Sequence, residues 1–188
     1  GISELLEVDV SYFSQIGNSS LTDEKIDIPI TKYKSQIPEK LISKNREHKL
    51  LKDIPSSYVP FRNGNILAIA TSWAETIAAN SIFIGAMQTD FSGYPDCTRE
   101  FFDAFESAIN LGTKPETKIK IITPIINFTK KDVVIKGIKL GVPFEFTWSC
   151  YKDEDFACGV CESCRLRLRG FEQAGINDPI QYRKYENS

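Results

Sequence analysis

Ser81-Ile82-Phe83-Ile84-Gly85-Ala86-Met87 is a near-continuous apolar run, and the fold turns on how it is read. A strand with one wet face alternates apolar and polar side chains. A run without alternation suits a strand buried on both faces, as in a parallel sheet. Just upstream, Ile66, Leu67, Ala70, Trp73, Ala74, Ile77 and Ala78 recur at three- and four-residue steps. That spacing predicts a helix from residue 63 with one apolar face. A helix feeding a buried strand is half of a βαβ unit.

The pattern continues downstream. Phe101, Phe102, Phe105, Ala108 and Ile109 share the face of a second expected helix. Gly112 is expected to end it in a left-handed conformation. Residues 118–126 read as another strand. Thr129 is placed to cap a helix running to about Leu140, with Asp132 near its positive end and Gly141 at its exit. Helices alternating with apolar strands indicate an α/β layer fold with a parallel sheet. Upstream, residues 4–10 read as a short strand. Residues 11–60 read as long loops with one short helix, broken by Pro29, Pro38, Pro55 and Pro60. His48, the only histidine, falls in a charged run and is read as a solvated surface residue. One histidine gives little support to a Ser-His-Asp triad.

The 188 residues fit one domain, 1–188. A net charge of -2 and a pI near 5.6 argue against a dedicated nucleic-acid binder. No apolar run has the roughly 18 residues a membrane helix needs. The N-terminus lacks the basic start and apolar core of a signal peptide. These features predict a cytoplasmic protein.

Five cysteines are present, four of them at Cys150, Cys158, Cys161 and Cys164. An odd count and tight clustering suit a metal site in a reducing compartment better than a disulfide framework. Zinc takes four thiolates in a closed tetrahedron, which leaves no open position and makes the role structural. Cys161 and Cys164 open an expected helix, 162–174, within a zinc-binding segment spanning 144–175. Ala157 and Gly159 allow backbone amides to approach the sulfurs. Arg165, Arg167 and Arg169 are candidates to offset the charge. An iron–sulfur cluster uses the same donors, and disulfides or merely buried thiols are the remaining readings.

In open α/β sheets, ligands bind beyond the carboxyl ends of the strands. There the chain runs Gln88-Thr89-Asp90-Phe91-Ser92-Gly93-Tyr94-Pro95-Asp96-Cys97. Asp90 is suited to ring nitrogens or an amino group of a flat heterocycle, and Tyr94 to stacking or to packing. Asp96 either meets a ligand or caps the next helix. Cys97 reads as a buried, inert thiol. Arg62 suits a carboxylate or phosphate through its planar fork, or a surface ion pair. Asn63 either lines the site or caps the helix behind it.

These pieces together resemble the 7-cyano-7-deazaguanine synthase family. The resemblance rests on Val59-Pro60-Phe61-Arg62-Asn63, on Asp90 to Cys97, on Trp148-Ser149-Cys150-Tyr151, and on the closing Cys158, Cys161 and Cys164. Ser19-Ser20-Leu21-Thr22 looks like a further family segment. It covers residues from about 5 to about 175. It implies an adenine-nucleotide alpha hydrolase-like fold with a doubly wound parallel sheet, and ATP-dependent ligase chemistry. The carboxylate of 7-carboxy-7-deazaguanine would be activated, joined to ammonia, then activated again and dehydrated to the nitrile. It further implies zinc on the four cysteines, ATP with magnesium, and a homodimer. The substrate pocket would draw on Arg62, Asn63, Asp90, Ser92, Tyr94 and Asp96; no catalytic residue is assigned.

One feature departs from the family pattern. The family's Ser-Gly-Gly-x-Asp-Ser loop, whose amides and helix N-terminus hold pyrophosphate, has no counterpart here. Ser19-Ser20 and Ser56-Ser57 lack the glycines. With Gly at position 1 and the only methionine at Met87, the expectation is a chain whose N-terminal nucleotide-binding part lies elsewhere. On that expectation this chain alone is inactive and the ATP site lies largely outside it. Two other readings stand beside this one. The first is a zinc-braced module using Arg165, Arg167 and Arg169 to touch RNA or a protein partner. The second is a tRNA-thiolating enzyme of the same superfamily, with Cys97 in sulfur chemistry.

Overall fold

The computed structural model describes residues 4–30, 54–88 and 93–183. Helix α1 spans Tyr12–Ile16, α2 Arg62–Thr76, α3 Arg99–Gly112, α4 Lys130–Lys139 and α5 Glu162–Ala174. Strands β1, Ser81–Phe83, and β2, Lys120–Ile122, pair in parallel with Ile82 opposite Ile121. The pairing of the two segments continues beyond the strands, where Gln88 N–H donates to Ile126 O at 2.9 Å. Together β1, α3 and β2 make the expected βαβ unit, and the chain is α/β with a small parallel sheet.

Leu67, Ala74, Ala86, Phe102, Ile109, Ile119, Ile121 and Ile126 form the main core. Helix α3 contributes more than apolar contact. Its Glu106 carboxylate accepts from Ile121 N–H at 2.7 Å, and Asn110 brackets Ile119, accepting from its N–H and donating to its carbonyl. A neighbouring strand would normally satisfy these backbone groups; here two polar side chains do so. They fix β2 as an edge strand on that side.

Several expectations are corrected. Residues 4–10 form no strand, and Leu5, Leu6, Val8 and Val10 are exposed. Among the described residues the sheet consists of β1 and β2, and this segment is not part of it. The run 81–87 is a strand only at its start, and it is not buried on both faces: Phe83 is 69% exposed. Among the described residues β1 pairs with β2 alone, and none of them covers the Phe83 side chain. On α2 the buried side is Gly64, Leu67, Thr71 and Ala74, whereas Ile66 and Ile77 face outward. Thr71 tolerates burial because its hydroxyl donates back to Leu67 O at 2.7 Å. Gly112 stays helical, and α3 ends when Thr113 turns extended.

The third helical expectation holds in detail. Thr129 accepts from Asp132 N–H while Asp132 accepts from Thr129 N–H, a reciprocal capping box, and Gly141 exits at φ +69°. Helices α4 and α5 then pack closely. At Gly170 a Cβ would stand 2.7 Å from the Lys130 Cβ and 3.1 Å from its carbonyl carbon, so only glycine permits this approach. Phe144 and Phe171 meet edge to face at 5.2 Å over the same contact. His48 lies outside the described residues.

Candidate metal centre and adjoining ligand loop

Cys150 ends an extended stretch, Cys158 follows a turn, Cys161 caps α5 and Cys164 sits on its first turn. Their four Sγ atoms lie within 4.8 Å of one another. The Cys158 and Cys164 sulfurs are 4.0 Å apart. Four thiolates about 2.3 Å from one ion sit about 3.8 Å apart, the edge of that tetrahedron. The donor set therefore fits a tetrahedral ion with modest contraction. All five cysteines are free thiols, so the disulfide reading falls away.

The loop is built to receive negative charge. Lys152 and Cys158 N–H groups donate to Cys150 Sγ, both at 3.3 Å, and Val160 and Cys161 N–H groups donate to Cys158 Sγ at 3.5 and 3.3 Å. Gly159, at φ +68°, makes the turn that aims these amides. Contact with Cys164 pulls the Cys161 thiol well below the ordinary thiol range and pushes that of Cys164 up.

Arg167 does not offset the sulfurs. It is buried against Asp178, with Nε and Nη2 donating at 2.7 and 2.8 Å, and it also donates to Thr147 and Phe144 carbonyls. The Tyr182 hydroxyl donates to the same Asp178 carboxylate at 2.6 Å. Ala157 and Arg183 then join the tail to the knot: Ala157 N–H donates to Gln181 O and Arg183 N–H to Ala157 O. Asp178 and Tyr182 are thus parts of the centre that the cysteine spacing does not reveal. Their distance in sequence from the cluster hides them.

The second part of the site gathers at the start of α2. Asp96 is buried, and its Oδ2 accepts from Asn63 N–H at 2.8 Å. Asn63 Nδ2 donates to Asp96 O at 2.8 Å and to Cys97 Sγ at 3.1 Å. Asp96 therefore caps α2, not the helix that follows it. Thr98 caps α3, accepting from Phe101 N–H at 3.1 Å. Asn63 is not the cap residue of α2 either, since Phe61 holds that position at φ +53°. Burial pushes the Asp96 carboxyl up, opposed by the Asn63 amide and the nearby Arg62. Burial, with Asp96 beside it, also pushes the Cys97 thiol up. A thiol held protonated is a poor nucleophile, which disfavours sulfur chemistry there.

Tyr94 is buried, with its hydroxyl 2.9 Å from Ser57 Oγ and its ring 5.6 Å from Tyr58. The two serine pairs meet: Ser20 N–H donates to Ser56 O at 2.8 Å, and Ser19, Ser20 and Ser57 are all buried. So Arg62, Asn63, Tyr94 and Asp96 are brought together. Asp90 and Ser92 lie outside the described residues.

A family model described as "Queuosine biosynthesis protein QueC" matches residues 1–175. The chain belongs to the QueC family. It is 53% identical to the 7-cyano-7-deazaguanine synthase of Chloroherpeton thalassium over 182 residues, covering 97% of this chain and 74% of that protein. It is 50% identical to the Chlorobaculum tepidum enzyme of the same name, covering 97% and 73%. With the Aliarcobacter butzleri enzyme it shares 48% over 185 residues, covering 98% and 74%. QueC membership leaves the RNA-module and thiolation readings without support. Arg167, central to the former, is buried and engaged. No helix among the described residues is long and apolar enough to cross a membrane.

Proposed function

We propose that the protein to which this chain belongs makes 7-cyano-7-deazaguanine from 7-carboxy-7-deazaguanine and ammonia, driven by ATP with magnesium. The observation that carries this is identity near 50% to synthases of that name along almost the whole chain. Activation turns the substrate carboxylate into an acyl group with a good leaving group, and ammonia attacks to give the amide. A second activation makes the amide oxygen part of a leaving group; departure of that group from carbon with loss of the two nitrogen protons leaves the nitrile.

The Arg62 guanidinium is the group suited to the anionic end of the heterocycle, through a planar bidentate contact. Asn63 and Asp96 satisfy each other and so hold the start of α2 and the loop that ends at Cys97 in register. Asp90, for ring nitrogens or an amino group, and Ser92 stay proposed substrate contacts on their sequence position alone. The four cysteines hold zinc, which supplies a fixed tetrahedral anchor and no open position for chemistry. The doubly wound, adenine-nucleotide alpha hydrolase-like sheet, a homodimeric assembly and a cytoplasmic setting complete the reading. Free thiols throughout support a reducing compartment.

The test is nitrile formation by the full-length protein supplied with the carboxylate, ammonia and Mg-ATP. Arg62→Ala should raise the KM for the heterocycle at least tenfold, the order expected for losing a charge-assisted bond. Its KM for ATP should stay unchanged. Failure of the unaltered protein to make the nitrile would overturn the proposal.

A further inference from the structure

The family match ends at residue 175, where Gly175 closes α5. The tail that follows doubles back over the cysteine knot. Ala157, fully buried beside Cys158, lies between two backbone bonds to that tail. Its N–H donates to Gln181 O at 3.0 Å, and its carbonyl accepts from Arg183 N–H at 2.9 Å. Tyr182 is thereby bridged to Ala157 in parallel. The Tyr182 ring lies on the turn that aims amides at Cys158: a Cβ at Gly159 would stand 3.4 Å from its Cδ1. Ile180 and Tyr182 pack against the buried sulfur cluster. Arg183 pairs with Asp153, inside the loop from Cys150 to Cys158.

One carboxylate locks this tail in place. Asp178 accepts from the Tyr182 hydroxyl at 2.6 Å and from Arg167 Nε and Nη2 at 2.7 and 2.8 Å. Arg167 stands one turn beyond Cys164 on α5. Its Nη1 donates to Thr147 Oγ1 at 2.8 Å, just ahead of Cys150 in the chain. The pair therefore ties together the entry of the ligand segment, its exit and the tail. The Arg167 and Asp178 side chains are only 8% and 4% exposed, so removing either leaves the other buried and unpaired.

We propose that Asp178 and Tyr182 are positioning residues of the metal centre, which hold the cysteine turn in its binding shape and keep the ion from leaving. This rests on the proposed zinc and adds to its site a segment outside the cysteine run. A thiolate leaves a bound ion when its backbone swings away. At Cys158 the backbone on both sides, Ala157 and Gly159, is held by Tyr182. Tyr182 is held in turn by Asp178, and Asp178 by the arginine that bonds beside Cys150. Partners in such an outer layer orient the ligands that touch the metal.

The experiment uses the full-length protein loaded with zinc and follows transfer of the ion to an excess of a chromogenic chelator. Asp178→Asn should release zinc about 100-fold faster, and Tyr182→Phe, which keeps the ring on Gly159, about tenfold faster, the two ends of the range for such partners. Leu67→Ala, a cavity in the separate α/β core, should leave the release rate unchanged. With cobalt in place of zinc, Asp178→Asn should weaken the visible bands of a tetrahedral thiolate site, a signature that loss of stability alone does not move. Unchanged release and unchanged cobalt bands in Asp178→Asn overturn the proposal, as does equally fast release from Leu67→Ala. Should Asp178→Asn fail to fold, Tyr182→Phe decides alone, and unchanged release from it is the overturning result. If the unaltered protein holds no ion, the zinc assignment falls by itself. Amide hydrogen exchange of the metal-free protein then decides: the Cys158, Val160 and Cys161 amides should exchange faster in Tyr182→Phe than in the unaltered chain, and equal exchange would sink the positioning role.

Discussion

The α/β half and the cysteine knot are held together by opposite means. Around Leu67, Phe102, Ile119 and Ile121 the binding agent is apolar area removed from water, spread over many weak contacts. Around Cys150, Cys158, Cys161 and Cys164 the buried cluster is small, and its partly buried companions are Ile28, Val160, Ile180 and a few others. There the cohesion comes from directed bonds: sulfurs aimed at a common centre, amides aimed at sulfurs, and Arg167 clamped to Asp178. A spread-out core degrades gradually when one contact is lost. A directed knot loses most of its stabilisation when one ligand goes. Evidence that both halves fail alike would remove this distinction.

The largest effect should come from Cys161→Ser. Structural metal binding is coupled to folding and is worth about 10 kcal/mol or more. We expect bound metal to be lost, measured by elemental analysis, and the amides of residues 150–183 to lose their exchange protection. The βαβ unit should keep part of its own. Simultaneous collapse of both halves would show one cooperative unit and sink the comparison. Elemental analysis that found iron with sulfide would instead replace zinc by a cluster.

The middle effect should come from Phe102→Ala. Phe102 is 1% exposed at the centre of the α/β core, and truncation of such a ring costs about 3 to 5 kcal/mol. The thermal midpoint should fall markedly while metal stoichiometry stays at one. Loss of the metal in this variant would mean that the knot depends on the distant core.

The smallest effect belongs to the capping box of α4. The Thr129 backbone and hydroxyl hold the exposed Asp132 carboxyl below its ordinary range. A depressed folded-state pKa contributes stability that is present above the unfolded value and lost as pH falls through the folded one. Asp132→Asn should therefore lower the midpoint slightly at neutral pH. The difference from the unaltered protein should vanish on the acid side of the usual carboxylate range. A difference that persists there would assign the effect to something other than the charge.

The comparison also explains what could be read early. Ligand spacing is local, so Cys150 to Cys164 announced the knot, and α5 began where the cysteines placed it. The capping box at Thr129 and Asp132 is equally local. Asp96 was different. Its place three residues before a helix pointed to capping that helix, yet its carboxylate reaches back 33 residues to Asn63. Thr98, a better-placed cap, already serves α3. Phe83 misled for a related reason. Apolarity in a strand states that a side chain can be buried, not that a neighbouring layer is there to bury it.

Sequence by itself determined the elements whose cause lies within a few residues: the amphipathic α3, the capped α4, the cysteine turn and the family motifs. Only the tertiary structure decided which distant polar groups would share protons: Glu106 and Asn110 with β2, Asp96 with Asn63, Arg167 with Asp178, and Ser57 with Tyr94. The reason is physical. A helix or a metal loop is selected by backbone geometry and spacing, which the chain carries locally. A buried hydrogen bond is selected by the cost of leaving either partner unpaired, and that cost exists only after packing has brought the two together.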